Sequence, residues 1–291
     1  MAEKKEFRWL NKDFLNELKN GYLKCILAFE KKFRKAFLVE IRKNSLDLYF
    51  LGHAISVTQT NKSDYYLNGS SAFQPDGFDK WPIPFKNIKA GRFEQLMYSV
   101  MSKIILHKKG AISEGVSEIN HYVNNRALDN GGIMIIDRQV AFGGSRIDLL
   151  GLKKIDRNNL SFVVIELKNK ENKEIEKVFS QTKKYLDILW DNYDSFKATY
   201  DLILDQKIKL GLLARRNKGI IIPKDSVKDK IEGIVILDNY NTRSGYLKRA
   251  LDDWKKISRN YDFKLFLKTN VLDRKMFLSY NQAREFNDTR V

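Results

Sequence analysis

Residues 143–170, reading GGSRIDLLGLKKIDRNNLSFVVIELKNK, constrain the fold of this chain more than any other stretch. Apolar side chains dominate both halves, with Ile147, Leu149 and Leu150 in the first and Val163, Val164 and Ile165 in the second. Runs this dense, with little polar alternation, belong to strands covered on both faces. The polar segment 155–159 between them predicts a hairpin turning at Arg157. In that register Asp148 stands across from Glu166, and Arg146 across from Lys168. Opposed residues have Cα atoms about 4.5–5.5 Å apart, and side chains alternate faces along each strand. Asp148, Arg146, Glu166 and Lys168 therefore emerge together, with Leu150, Val164 and Phe162 further along the same face.

Two carboxylates held so close repel each other and lose hydration, which is unfavourable unless a proton or cation lies between them. Mg²⁺ or Mn²⁺ prefers oxygen ligands, keeps several waters, and suits two carboxylates plus a substrate phosphate. Such an ion acidifies a bound water and neutralises charge on a transferring phosphate. Lys168, two residues beyond Glu166, falls beside it and can orient the water or stabilise the phosphate. The plain alternative is a surface hairpin whose carboxylates simply pair with Arg146 and Lys168. The surrounding apolar runs argue for burial, and charge clustered inside a buried sheet favours a functional site.

The rest of the chain supplies a frame for this hairpin. Apolar positions at helical spacing run from residue 12 to 34, interrupted at Gly21. Two short β-rich runs, 36–41 and 46–50, are joined by Lys43-Asn44-Ser45 and predict a second hairpin, with a further strand over 53–58. These make a small N-terminal α+β module, residues 1–72. Residues 73–90 mix Gly, Pro and Asp with Phe73, Phe78, Trp81 and Phe85, which predicts a linker that packs rather than a free tether. From residue 91 the pattern predicts a helix carrying Phe93, Leu96, Met97, Val100 and Ile104, then strands over 133–142, 146–153 and 160–167. A helix over 171–190 and strands over 208–214 and 233–237 complete it. The fold class expected is mixed α/β, with a helix, three strands, a helix and two further strands in residues 91–291.

Asp148 followed by Glu166-Leu167-Lys168 after a hydrophobic strand resembles the D…(D/E)-x-K signature of the PD-(D/E)XK nuclease superfamily. Gly144, Arg146-Ile147-Asp148-Leu149-Leu150 and Val164-Ile165-Glu166-Leu167-Lys168 are similar to its branch reading "GRIDLL…VIELK", over residues 90–215. The proline that usually precedes the first aspartate is replaced by Ile147. The resemblance implies a restriction-endonuclease-like αβββαβ core, with Asp148 and Glu166 binding Mg²⁺ or Mn²⁺ and Lys168 positioning the attacking water. It implies a metal-assisting role for Glu94 on the helix before the strands, where the alternative is a solvent-facing glutamate favoured by the helix dipole. Gln181 and Tyr185, four apart on the next helix, share a face and resemble the Q-x-x-x-Y element of RecB-like nucleases. There the glutamine supports the site; for Tyr185 the alternative is a ring packed at the helix edge.

Composition bears on partners. The chain has 291 residues and a formal charge of +17, an excess commonly kept for a polyanionic partner, nucleic acid or an acidic membrane. Arg215, Arg216 and Lys218, then Arg243, Lys248, Arg249, Lys255, Lys256 and Arg259, run among Tyr240, Tyr246 and Trp254. Basic residues interleaved with aromatics can follow a phosphate backbone, and Arg146, Tyr185, Arg215, Arg216 and Lys218 are the nucleic-acid contacts expected. The alternative there is a solvated helix with its aromatics in the core. A single cysteine excludes an internal disulfide framework and a cysteine zinc cluster, and three scattered histidines offer no metal motif. No P-loop stretch occurs. The start MAEKKEFRWLNKDF is polar, and no apolar run approaches the roughly 18 residues of a span, so a cytoplasmic protein with no membrane partner is expected. The function expected is a DNA endonuclease of restriction or antiphage defence, with RNA or a repair role as variants and a homodimer as a way to cut two strands. A nucleic-acid-binding protein that keeps the fold without turnover is the rival reading.

Overall fold

Gly21 divides the first amphipathic stretch into two helices, α1 (Lys12–Asn20) and α2 (Lys24–Lys32). The Asn11 side chain accepts from the Phe14 amide at 2.9 Å, capping a donor that α1 leaves unpaired. The computed structural model describes residues 8–61, 63–88, 91–107, 114–126, 132–142, 145–155, 160–169, 173–213, 231–238, 245–257, 262–267 and 278–288. These contain eight α-helices and two five-stranded sheets in two units, residues 2–119 with 199–218, and residues 120–198 with 219–291. Among the described residues no helix is long and apolar enough to cross a membrane.

In the first unit, β1 (Phe37–Arg42) and β2 (Ser45–Phe50) pair antiparallel from Arg42↔Ser45. The turn between them places Asn44 at φ 45°, a left-handed conformation that asparagine tolerates. β3 (His53–Asn61), β4 (Asp64–Asn68) and β5 (Ile83–Pro84) extend this sheet as an antiparallel meander. Helix α3 (Arg92–His107) buries Phe93, Leu96, Met97, Val100 and Ile104 in one core with Phe14, Ile26, Val39 and Leu48. The stretch 73–90, expected as a linker, supplies β5 and buries Phe73, Ile83 and Phe85 in that core. The units therefore divide at residue 119 rather than near 90. Residues 206–212 return to the same unit. There the Gln206 side chain bonds both the amide and the carbonyl of Leu10, at 3.0 and 2.8 Å, and Lys207 is ion-paired with Glu40.

Tyr22 and Tyr65 lie edge to face in this unit, ring centroids 5.8 Å apart. Tyr22 is 42% exposed, and the part of its ring that is covered, with the charges of Glu17 and Asp64 adding to it, pushes the phenol up to about 12. Burial also pushes Tyr65 to about 12. Both folded values exceed the ordinary one near 10. The neutral phenols' contribution to stability is thus complete below about pH 10 and is lost as pH rises towards about 12. In an alkaline titration followed at 295 nm, a late phase is expected that Tyr22→Phe and Tyr65→Phe each diminish.

The second unit is built on β6 (Ile133–Phe142), β7 (Ser145–Lys154) and β8 (Leu160–Asn169), antiparallel neighbours; helix α4 (Glu114–Asn124), which precedes them in the chain, runs across the division at residue 119. α5 (Val178–Asp191) packs on β8, and α6 (Tyr193–Lys209) follows it. β9 (Glu232–Asp238) lies parallel to β8, and β10 (Asp262–Leu267) parallel to β9, giving the order β10-β9-β8-β7-β6. Helices α7 (Gly245–Ile257) and α8 (Tyr280–Asp288) complete the unit. Over 208–213 the expected strand is instead the last turn of α6 and its exit, and residue 214 lies outside the described residues. Gly211 at φ 74° ends that helix, and the Leu212 amide reaches the Lys207 carbonyl at 2.9 Å.

Central strands β8 and β9 are buried on both faces, which is why their sequences are nearly continuous apolar runs. Gly233 is small for a packing reason. A Cβ there would come 2.7 Å from the Phe263 ring and 3.0 Å from Leu186. Gly233→Ala is expected to lower stability by about 1–3 kcal/mol, read from the urea midpoint.

Candidate active site

The β7–β8 ladder has the register expected, from Lys154↔Leu160 to Leu149↔Ile165. It carries Asp148 and Glu166 to opposed positions just past the last pair. Here the Asp148 carboxylate takes over a backbone role, its Oδ2 accepting from the Leu167 amide at 2.9 Å. This contact turns Asp148 towards β8, and the Arg146–Lys168 pairing expected beyond it is not part of the ladder. On the other side, the β6–β7 register brings Gln139 opposite Asp148, and Gln139 holds φ 49°. A non-glycine residue in that conformation costs energy and tends to mark a place where backbone shape serves a site.

Asp148, Glu166 and Lys168 are all buried, at 6%, 0% and 5% exposure. Lys168 Nζ donates to Glu166 Oε1 at 2.8 Å and lies 3.8 Å from Glu174 Oε2. One lysine beside a buried carboxylate fixes the position of both side chains. Across the parallel ladder Glu166 stands level with Val235, Lys168 with Leu237 and Asn169 with Asp238. The site thus sits where β8 and β9 reach their C-terminal ends.

The structure brings to Asp148 two further carboxylates that the sequence reading does not name. Glu114, Glu118 and Asp148 each offer an oxygen within 4.8 Å of the others. Glu118 and Asp148 are buried and Glu114 is partly so. Glu114 and Glu118 are four apart on α4, on one helical face. Three converging carboxylates are strongly unfavourable without positive charge among them. Their oxygens are hard donors, with no thiol or imidazole in the set, and they fit a divalent cation of the Mg²⁺ or Mn²⁺ type. The helical spacing of Val116, Ile119 and Tyr122, all buried, is the signal by which α4 could have been found.

Glu94 occupies a different setting. It lies on α3, partly exposed, paired with Lys32 and accepting from the Tyr98 hydroxyl at 2.6 Å. The Lys32 ammonium, with the Tyr98 hydroxyl assisting, holds its carboxyl below the usual range. The helix directly before the three strands is α4, so the position expected for Glu94 is taken by Glu114 and Glu118.

Gln181 and Tyr185 on α5 are joined to each other, Gln181 Nε2 donating to the Tyr185 hydroxyl at 2.8 Å. Burial raises the Tyr185 phenol above its ordinary range. The Glu166 and Asp148 charges push the same way, while Gln181 and Lys168 oppose them. The raised phenol keeps its proton at neutral pH, so the Tyr185 hydroxyl is a neutral donor.

Arg146 is exposed on β7, opposite Ala141. Of the basic set, Lys248, Arg249, Lys255 and Lys256 are exposed on α7, and Arg249 lies over the Tyr246 ring at 5.0 Å. Trp254 is in the core, stacked on Phe179 with centroids 4.5 Å apart. Arg215, Arg216, Lys218, Tyr240, Arg243 and Arg259 lie outside the described residues. Comparison of the chain with protein-family models, with curated proteins and with solved structures finds no match.

Proposed function

We propose that the chain is a metal-dependent nuclease of the PD-(D/E)XK kind that hydrolyses phosphodiesters in DNA as an endonuclease of restriction or antiphage defence. The observation that carries the reading is that Glu114 and Glu118 offer oxygens within 4.8 Å of one on buried Asp148, while the buried Glu166–Lys168 pair lies on the neighbouring strand at the same end of the β7–β8 hairpin. Asp148, Glu118 and Glu114 would hold Mg²⁺ or Mn²⁺, with Glu166 on the neighbouring strand completing the acidic lining. When bound, the cation neutralises charge on the scissile phosphate and makes a water more acidic.

The chain's own groups do the rest. Lys168 Nζ, held by Glu166, is a fixed cationic donor that orients the attacking water and stabilises charge building on the phosphate oxygens. Glu166, tied to Lys168, is placed to take up a proton from the water. The Tyr185 hydroxyl, oriented by Gln181, is a neutral donor for a phosphate oxygen. The exposed cations Lys248, Arg249, Lys255 and Lys256, with Arg146 on β7, supply charge for a phosphate backbone. Cutting both strands of a duplex would take two such sites, which favours a homodimer.

A nucleic-acid-binding protein without turnover is the second reading, favoured by the net charge of +17 alone. Binding and cutting of supercoiled plasmid, linear duplex, single-stranded DNA and RNA, each with Mg²⁺ and Mn²⁺, separate the two. Cutting of DNA is expected. Salt-sensitive binding with every substrate left intact supports the second reading, and a preference for RNA redirects the substrate.

A further inference from the structure

Helix α4 carries more on its inner face than two glutamates. His121 follows Glu118 by three residues and so shares its side of the helix. Its ring is fully buried, and Nε2 lies 3.1 and 3.3 Å from the two oxygens of Asp238, itself 5% exposed. Asp238 ends β9 and stands level with Asn169, the residue after Lys168. The pair thus links α4 to the strand beside the one that bears Glu166 and Lys168.

The far end of the same helix is anchored elsewhere. The Asn125 carbonyl accepts from the Ile135 amide of β6 at 2.7 Å, and the Tyr122 hydroxyl reaches the Ile136 carbonyl at 3.4 Å. Asn125 Nδ2 also closes on the His121 carbonyl at 2.7 Å. Contacts to β6 and to β9 flank β7 and β8, whose ends carry the site. The buried side chains Val116, Ile119 and Tyr122 seat α4, and the His121–Asp238 contact adds a directional polar attachment to β9. A change in the roll of the helix would move Glu114 and Glu118 relative to Asp148. A buried acid–imidazole contact costs desolvation that a pair of apolar side chains would not, so stability alone is a poor reason for it.

We infer that His121 and Asp238 are positioning residues, a clamp that fixes the roll of α4 and thereby holds Glu118 and Glu114 against Asp148 for a divalent cation. The inference rests on the proposed metal reading of that carboxylate group. Outer partners of this kind set the geometry of ligands they do not replace, and their loss typically costs about 10–100-fold in metal affinity.

Calorimetric titration of the full chain with Mn²⁺, without nucleic acid, tests this in wild type, Asp148→Asn, Asp238→Asn, His121→Leu and His121→Gln. Thermal unfolding in EDTA, recorded for each, shows which are folded at the titration temperature. Wild type is expected to bind Mn²⁺ and Asp148→Asn to lose it. His121→Leu should bind about 10–100-fold more weakly while folded, and Asp238→Asn about tenfold more weakly. His121→Gln, which keeps a donor towards Asp238, should recover most of the affinity, a rescue that a purely structural role would not produce. If His121→Leu does not fold, the near-isosteric Asp238→Asn decides. Wild-type Mn²⁺ affinity in folded His121→Leu and Asp238→Asn would overturn the clamp and leave the metal reading standing. No Mn²⁺ binding by wild type would overturn both.

Discussion

Asp148→Asn is expected to lower the rate of plasmid cleavage in Mg²⁺ by about three orders of magnitude, with little change in the unfolding midpoint. Loss of one group that stabilises transition-state charge typically costs about 10²–10³ in rate, and here a ligand charge is removed as well. Asparagine is the informative replacement because of what Asp148 does structurally. Its Oδ2 accepts from the Leu167 amide at 2.9 Å, and an asparagine oxygen preserves that bond and the shape. Alanine would also strand a buried N–H, costing about 1–3 kcal/mol of stability and confusing a fold defect with a chemical one. Nicking rates at saturating Mg²⁺, beside urea midpoints of the same preparations, separate the two. Asp148→Asn cutting within tenfold of wild type would remove Asp148 from the chemistry.

The largest effect on stability is expected in the first unit. Lys207 and Glu40 form an ion pair in which both side chains are fully buried, with the Arg42 guanidinium 3.8 Å from the same carboxylate. Lys207→Met leaves the Glu40 charge inside the core without its close ammonium partner, with the Arg42 guanidinium 3.8 Å away. Breaking a buried pair from one side costs about 3–5 kcal/mol, and Arg42 should bring the loss towards the lower figure. Replacing both members removes the orphaned charge. Lys207→Met/Glu40→Leu is therefore expected to regain a large part of the loss, since apolar replacements of whole buried pairs are often neutral or stabilising. Equilibrium urea unfolding of the two single variants and the double completes the cycle. A loss under about 1 kcal/mol for Lys207→Met would mean that water or another group meets the Glu40 charge.

The register of the β7–β8 hairpin is legible because two apolar runs flank a short polar stretch of sequence, so only one pairing buries both. That places Asp148 opposite Glu166 without any tertiary information. Gly21 between α1 and α2, and Asn44 between β1 and β2, are legible for the same local reason. What escapes is whatever depends on which core an element joins. Helix α3 has a clear apolar stripe, but nothing in the stripe says that it packs with Phe14 and Val39 in the first unit. Reading it as the last helix before the strands assigns its Glu94 the position held by Glu114 and Glu118 on α4.

Apolar spacing at 208–214 is compatible with a strand. There the decision falls to Gly211, whose φ of 74° closes a helix that began at Tyr193. The helical spacing of Tyr193, Phe196, Tyr200, Ile203 and Leu204, all buried, is the local signal that outweighs it. His121 and Asp238 are 117 residues apart in sequence, so their contact is visible only once β9 lies beside β8.

The most direct test of the central claim is cleavage of supercoiled plasmid by the purified wild-type chain in Mg²⁺, then in excess EDTA, then with Mg²⁺ restored beyond the chelator. Metal-dependent nicking or linearisation that stops in EDTA and returns on restoration is the result expected of carboxylates that hold a working cation. Cleavage that continues unchanged in EDTA, or plasmid left intact in Mg²⁺ and Mn²⁺ alike, would contradict the account.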